Sequence, residues 1–376
     1  MLLPHAILLA LVALPQGHPE PVEPQFPWVV VDRPEPSPWD NLHNAQLIVR
    51  SDGSLIAIVE HSGHYGSPLG TYVYKSTDRG SRWSKPATVY TPNDAGLFEA
   101  GGTLYLLGTY SSAGKSPGRA EICRSLDGGA TWGDMTLLGS EARLQTSQSE
   151  VLRDHGRIWQ IFAKPDYSGG ETISHLSVAS APADSDLMKS ENWTWSEELS
   201  QTGFGWQCSL LAPGREGGTI LLGRTYGPEV KLVADLTSDG RGLRVRSSGD
   251  LPELPSRSVR SLSHDPSSGQ TFALNCVDRP APDWGFSEIR LASSSDLAHW
   301  TDRSVLLRGG REDGIAFGWC AHAYDGEDLL VLLCARVPRV PDSGEKATRE
   351  WNVLFLRVPR FRDRKPETPP LWDAPH

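Results

Sequence analysis

The sequence predicts an all-β fold, a six-bladed β-propeller with four-stranded antiparallel blades, and three observations carry that expectation. A strand–turn–strand unit recurs six times, the composition is rich in turn formers, and an octapeptide repeats in phase with the unit. Of 376 residues 38% are apolar, 37 are Gly and 29 are Pro, and the 13 Trp outnumber the 9 Phe or the 9 Tyr. That balance suits many short strands joined by tight turns.

The chain opens with "MLLPHAILLALVALPQGHPEPVEPQ", whose apolar stretch Ala6–Leu14 is too short to span a bilayer and is followed by a Pro-rich polar run. Residues 1–25 read as a signal peptide and linker, which places the protein outside the cytoplasm, secreted or periplasmic. Residues 26–363 are expected to form the propeller and 364–376 a C-terminal tail. No later segment reaches membrane-spanning length, so no membrane insertion is expected.

The repeated hairpins are "NAQLIVRSDGSLIAIVE" (44–60), "AGLFEAGGTLYLLGTY" (95–110), "SEVLRDHGRIWQIFA" (149–163), "QCSLLAPGREGGTILLGR" (207–224), "SVRSLSHDPSSGQTFALN" (258–275) and "CAHAYDGEDLLVLLCAR" (320–336). Their turn glycines, Gly53, Gly102, Gly156, Gly218, Gly269 and Gly326, lie 49 to 62 residues apart. A variable loop and a third strand follow each hairpin, and a fourth strand follows the octapeptide where it can be read. The early "PWVVVD" (27–32) is expected to close the ring against the last blade.

The octapeptide appears as "STDRGSRW" (76–83) and "SLDGGATW" (125–132), with partial copies in "DLMKSENWTW" (186–195) and "SSDLAHW" (294–300). Its residue types point to stitching: Asp78 and Asp127 accept bonds from turn amides, Gly80 and Gly129 take positive φ, and Trp83 and Trp132 bury area between blades. The five cysteines show no CxxC spacing, which removes the usual zinc patterns. Cys320 and Cys334 flank a tight turn, a placement that allows one bridge across that hairpin.

With these motifs in place, the chain resembles the sialidase (neuraminidase) superfamily, whose Asp-box, or bacterial neuraminidase repeat, is this octapeptide. It is most similar to secreted bacterial sialidase-like proteins, often labelled exo-alpha-sialidases, and the likeness runs from Asp40 to Phe361. The resemblance implies a glycoside hydrolase acting on an acidic sugar. Two positions depart from the family pattern. His43 and Asn44 stand where the first Arg of the family's carboxylate-binding triad is expected, and Trp319 stands where its nucleophilic Tyr is expected.

In a propeller of this kind the hairpin turns and octapeptides share one face, so the long connections gather on the other, where a binding pocket is expected. The loop from Glu60 carries His61, His64 and Tyr65, with His43 nearby; Glu60 with His61 fits general acid–base work, and Tyr226 joins them as a catalytic candidate. Arg224, Arg260 and Arg336 end or begin strands on that face and suit bidentate binding of a substrate carboxylate or sulfate. Trp284 and Trp319 offer sugar-stacking surfaces, and Asp278 is a further carboxylate. His64, Tyr65 and His43 complete the expected substrate-binding set.

The net charge of −10 disfavours nucleic acid as a partner. No nucleotide, esterase or zinc-protease motif is present, and no metal or cofactor is expected. The resulting expectation is a monomeric, glycan-active, exo-acting glycoside hydrolase. The alternatives are a non-catalytic carbohydrate-binding propeller and a polysaccharide lyase acting on a uronate.

Overall fold

The computed structural model describes residues 27–34, 41–62, 68–110, 118–139, 144–146, 150–166, 173–202, 209–213, 218–223, 230–251, 259–277, 286–297, 299–309, 315–339 and 348–373. These residues form an all-β propeller. The proposed leader, His64, Tyr65, Arg224, Tyr226, Asp278 and Trp284 lie outside the described residues. No helix among the described residues is long and apolar enough to cross a membrane.

The first sheet is an antiparallel meander of Asn41–Val49, Leu55–Ser62, Pro68–Ser76 and Ser84–Val89. The second repeats it with Asn93–Ala100, Thr103–Tyr110, Arg119–Ser125 and Gly133–Leu137. The fourth consists of Ser209–Pro213, Gly218–Gly223, Val230–Leu236 and Leu243–Leu251. In the fifth, Val259–Asp265, Gln270–Val277, Glu288–Ser294 and Thr301–Arg308 run in the same order. The sixth takes Ala316–Asp325, Asp328–Arg339 and Thr348–Val358 and is completed by Trp28–Asp32, so the early strand closes the ring as expected.

Five sheets therefore form four-stranded antiparallel blades, which corrects the expectation of a six-bladed propeller to one of five blades. The third unit departs from that build. Gln145–Thr146 and Leu152–Asp154 both pair with Arg157–Asp166, while Thr194–Trp195 and Leu199–Thr202 both pair with Ile173–Pro182. Its inner and outer strands are each split in two. Inner strands nonetheless touch from each sheet to the next, and from the sixth back to the first.

The second strand of a blade reads as a continuous apolar run because neighbouring sheets cover both its faces. Leu55–Val59 and Leu329–Ala335 are buried at every position. Between sheets lie apolar cores, such as the one joining Leu42, Val59 and Tyr74 of the first sheet to Leu330, Leu332 and Phe355 of the sixth. Each buried Leu or Ile there contributes about 2 kcal/mol.

A further sequence expectation changes. Cys320 and Cys334 do not bridge: Cys320 lies opposite Leu333, so Cys334 points to the other face of the sheet, and both are free and buried. Residues after Phe361 return to the fifth sheet. Arg364 is buried with its Nε donating to Ser304 Oγ at 2.8 Å, and Trp372–Asp373 adds a parallel strand to the fifth sheet.

The octapeptides work as fasteners. Gly80 N–H donates to Ser76 Oγ (2.9 Å), Arg82 N–H to Asp78 Oδ1 (2.9 Å) and the Trp83 indole to Gly80 O (3.0 Å). The second copy repeats these bonds through Ser125, Asp127 and Trp132. The partial copy at Ser294–Trp300 keeps them too, with Leu297 at φ 64 in the glycine position. Each fastener rests on the preceding sheet: Trp83 meets Phe355 of the sixth at 5.3 Å, and Gly129 faces Val73 and Ile56 of the first.

Gly80 combines φ +93 with a position where a Cβ would fall 2.1 Å from the Phe355 ring, whereas at Gly53 (φ +80) nothing lies within 4 Å. Gly53→Ala is expected to cost about 1 kcal/mol from backbone strain alone, and Gly80→Ala about 3 kcal/mol or more because the ring must also move. Urea unfolding of the two variants checks the difference.

Candidate active site

Four inner strands carry one extra residue near their start. The register slips between His43 and Gln46, between Asn93 and Gly96, between Val259 and Ser261, and between Phe317 and Cys320. A bulge re-aims side chains while leaving the pairing beyond it intact. The bulged or adjoining residues are His43 and Asn44, Asp94, Arg260, and Gly318 and Trp319. Asn44 and Asp94 both take φ 48, a left-handed conformation that Asn and Asp tolerate better than other side chains.

The first two bulges meet. Glu60 pairs across the strand with His43 and is 3% exposed. Its Oε1 lies 3.6 Å from His43 Nε2, and the same nitrogen is 3.9 Å from Asp94 Oδ1. Asp94 N–H donates to Glu60 Oε2 at 2.6 Å, and Asn44 Nδ2 donates to Ala95 O at 3.0 Å, which ties the two bulges together. Side chains of His43 and Asp94 retain 14% and 30% exposure, so the cluster is open on one side.

His61 is not part of this group. Successive strand residues point to opposite faces, and His61 Nδ1 instead shares a 2.5 Å hydrogen bond with Tyr72, which packs towards the sixth sheet. The structure thus sets Glu60 beside His43 and Asp94, whereas sequence reasoning had paired it with His61. Asp94 was missed, yet a signal was available. Asn44, Asp94, Arg260 and Gly318 all stand eight or nine residues ahead of their turn glycines.

Across the mouth, the Arg260 guanidinium lies over Trp319 at 4.0 Å and over Phe286 at 4.9 Å, and has no carboxylate partner among the described residues. Trp319 also packs against the core between the sixth and first sheets, so one ring face is a shelf for arginine. Arg336 stacks on Trp351 at 4.8 Å. A Cβ at Gly318 would come within 2.9 Å of Trp351, so the bulge needs glycine to admit that ring.

Behind Arg260 lies a buried polar chain that the sequence did not suggest. Ser261 Oγ donates to Glu150 and contacts His322 Nδ1 at 2.6 Å, while Ser263 Oγ contacts His322 Nε2 at 2.6 Å and Tyr324 OH at 3.0 Å. Glu150 belongs to the third unit, so the chain ties three sheets together. Desolvation pushes its carboxyl up to about 7, against the lowering effect of hydrogen bonds from Ser261 and the His322 main chain, and burial pushes His322 down to about 3.

A raised carboxyl favours the folded state at low pH and loses that contribution as pH climbs from 4.5 through 7. The depressed imidazole acts in the opposite sense, favouring the fold above 6.5 and losing its contribution as pH falls towards 3. Glu150→Gln should therefore remove a stability loss of about 3 kcal/mol that the native chain suffers between pH 4.5 and 8, as read by urea midpoints across that range.

No protein-family model matches the chain, and no curated protein matches it. Among solved structures it is similar to a protein of unknown function from Dyadobacter fermentans, with TM-score 0.58 and 15% identity over 88% of this chain and 98% of that one. It is likewise similar to Trypanosoma rangeli sialidase in complex with sialic acid, with TM-score 0.58 and 14% identity over 85% of this chain and 54% of that one. The chain spans about half the length of that sialidase. The subtype N11 neuraminidase-like protein of A/flat-faced bat/Peru/033/2010 matches with TM-score 0.51 and 11% identity over 89% of this chain and 94% of that one. At these identities the likeness is one of fold, and the fold is that of a sialidase-like propeller.

Proposed function

We propose that this protein is an exported, exo-acting glycoside hydrolase that removes an acidic sugar, with Glu60 as acid/base and Arg260 as the anchor for the sugar's anionic group. The observation that carries the reading is the convergence of Glu60, Asp94 and His43 at the mouth of two bulged strands. Side-chain oxygens of Glu60 and Asp94 lie within 4.8 Å of each other. Carboxyls that close suit a retaining mechanism better than an inverting one, whose pair stands farther apart to hold a water.

In this mechanism the Glu60 carboxyl gives its proton to the leaving glycosidic oxygen while Asp94, the more exposed of the two, faces the anomeric carbon as nucleophile. The Glu60 carboxylate then takes a proton from the water that releases the sugar. Arg260 is suited to its role because its aromatic shelves hold the guanidinium plane and leave its charge to an incoming carboxylate or sulfate. The departure from the family pattern at His43 and Asn44 fits a changed division of labour, in which His43 joins Glu60 and Asp94 in the cluster.

A product screen of the mature protein against sialosides, uronate glycosides and sulfated glycans tests the reading. On a cleaved substrate, Glu60→Gln is expected to lower kcat at least 100-fold, and Arg260→Lys to raise KM about tenfold or more with a smaller effect on kcat. Binding without any released product would establish the carbohydrate-binding alternative. An unsaturated product would establish the lyase.

A further inference from the structure

We propose that His43, Glu60 and Asp94 form a binding site for a divalent transition-metal cation of the Zn²⁺ type, and that its occupancy switches off the hydrolysis assigned above. The second half rests on that functional reading, and the first half stands without it. One imidazole nitrogen and two carboxylate oxygens converge, all within 4.8 Å of one another. Imidazole selects first-row transition metals, and three protein ligands with an open fourth position is a common zinc arrangement.

The spacing supports this more closely than a hydrogen-bonded cluster would. His43 Nε2 lies 3.6 Å from Glu60 Oε1 and 3.9 Å from Asp94 Oδ1, both beyond hydrogen-bond length. Ligands held tetrahedrally at about 2.1 Å from an ion are about 3.4 Å apart, so these atoms already stand near the separation a cation requires. A triangle bounded by those distances has its centre about 2.4 Å or less from each corner, and closing on Zn²⁺ asks for shifts of a few tenths of an ångström.

The supporting contacts also fit. Asp94 N–H holds Glu60 Oε2 at 2.6 Å and so directs Oε1 inwards, and the Asn44 bond to Ala95 O fixes the two bulges relative to each other. Outer contacts of that kind orient metal ligands. Two carboxylates facing one imidazole favour a doubly charged guest, and the partial exposure of His43 and Asp94 provides its entry. Calcium is disfavoured because it takes six to eight oxygens, and two carboxylates converge here among the described residues.

A bound cation takes the lone pair on Glu60 that must accept and release the proton, so metal and turnover exclude each other. Titrating Zn²⁺ into the metal-stripped full chain by calorimetry is expected to show saturable binding, at least tenfold tighter than Mg²⁺, with a rise in Tm. His43→Gln and Asp94→Asn should each weaken it at least tenfold while retaining the native far-UV spectrum. Co²⁺ should give the visible absorption of a low-symmetry four- or five-coordinate site in the unmutated chain, a readout that needs no variant. On a cleaved glycoside, Zn²⁺ should inhibit with half-saturation equal to its dissociation constant.

Equal Zn²⁺ affinity in the native chain and both variants, or a Co²⁺ spectrum unchanged from the free ion, overturns the cation site. Cleavage that persists with the site saturated overturns the switch. Zn²⁺ binding that is lost in the variants, with no glycan cleaved by the metal-free chain, upholds the site and removes the hydrolase reading instead.

Discussion

The extra residue in each of four inner strands is the constraint on which the functional face depends. Inner strands of neighbouring sheets touch one another, and a regular ladder there would point alternate side chains only at those sheets. One added residue at His43–Gln46, Asn93–Gly96, Val259–Ser261 and Phe317–Cys320 turns the first residues of each strand out of that pattern. Beyond each bulge the pairing resumes, so Leu47, Leu97, Leu262 and Ala321 remain buried. The first residues of these strands are thus re-aimed without cost to the apolar layers beneath.

The two ends of the propeller divide the work. At the end carrying the hairpin turns, charges are paired across sheets: Arg50 with Glu99 at 3.1 Å, Arg79 with Asp325 at 2.9 Å, and Arg362 with Asp265 at 2.6 Å. The octapeptide carboxylates are consumed there as well, by turn amides and by Arg82, which hold Asp78 down at about 2. At the mouth the pattern reverses. Arg260 is stacked on rings and has no acid partner among the described residues, and Glu60 shares its site with a second carboxylate.

Much of this was legible in the sequence because it is local. Hairpin turns, apolar runs and the octapeptide each lie within a short window, and they located five regular blades and the closing strand Trp28–Asp32. What escaped is non-local. Asp94 meets Glu60 only once two sheets are docked, and Glu150 finds Ser261 from 111 residues away. The third unit was expected to be regular from its hairpin "SEVLRDHGRIWQIFA", but its first strand shortens to Leu152–Asp154, and Glu150, just ahead of it, turns to the fifth and sixth sheets. The pairing of Glu60 with His61 failed on a local rule, since adjacent strand residues face opposite ways.

The same geometry explains why an acid/base pair and a cation site can coincide in one cluster. Both require lone pairs brought together at a separation too long for direct hydrogen bonding and too short for independent solvation, with a main-chain donor keeping one oxygen in place. Glu60, Asp94 and His43 meet that requirement through two bulges linked by the Asn44 side chain. A proton or a metal ion can fill such a gap, and which one does so is set by what the surrounding solution supplies. Arg260 cannot answer either of them, because a guanidinium stays charged, and no carboxylate among the described residues pairs with it; the proposed function gives it the anion of the ligand. Under the function proposed above, an acidic sugar sets its anion on Arg260 and its glycosidic bond towards Glu60.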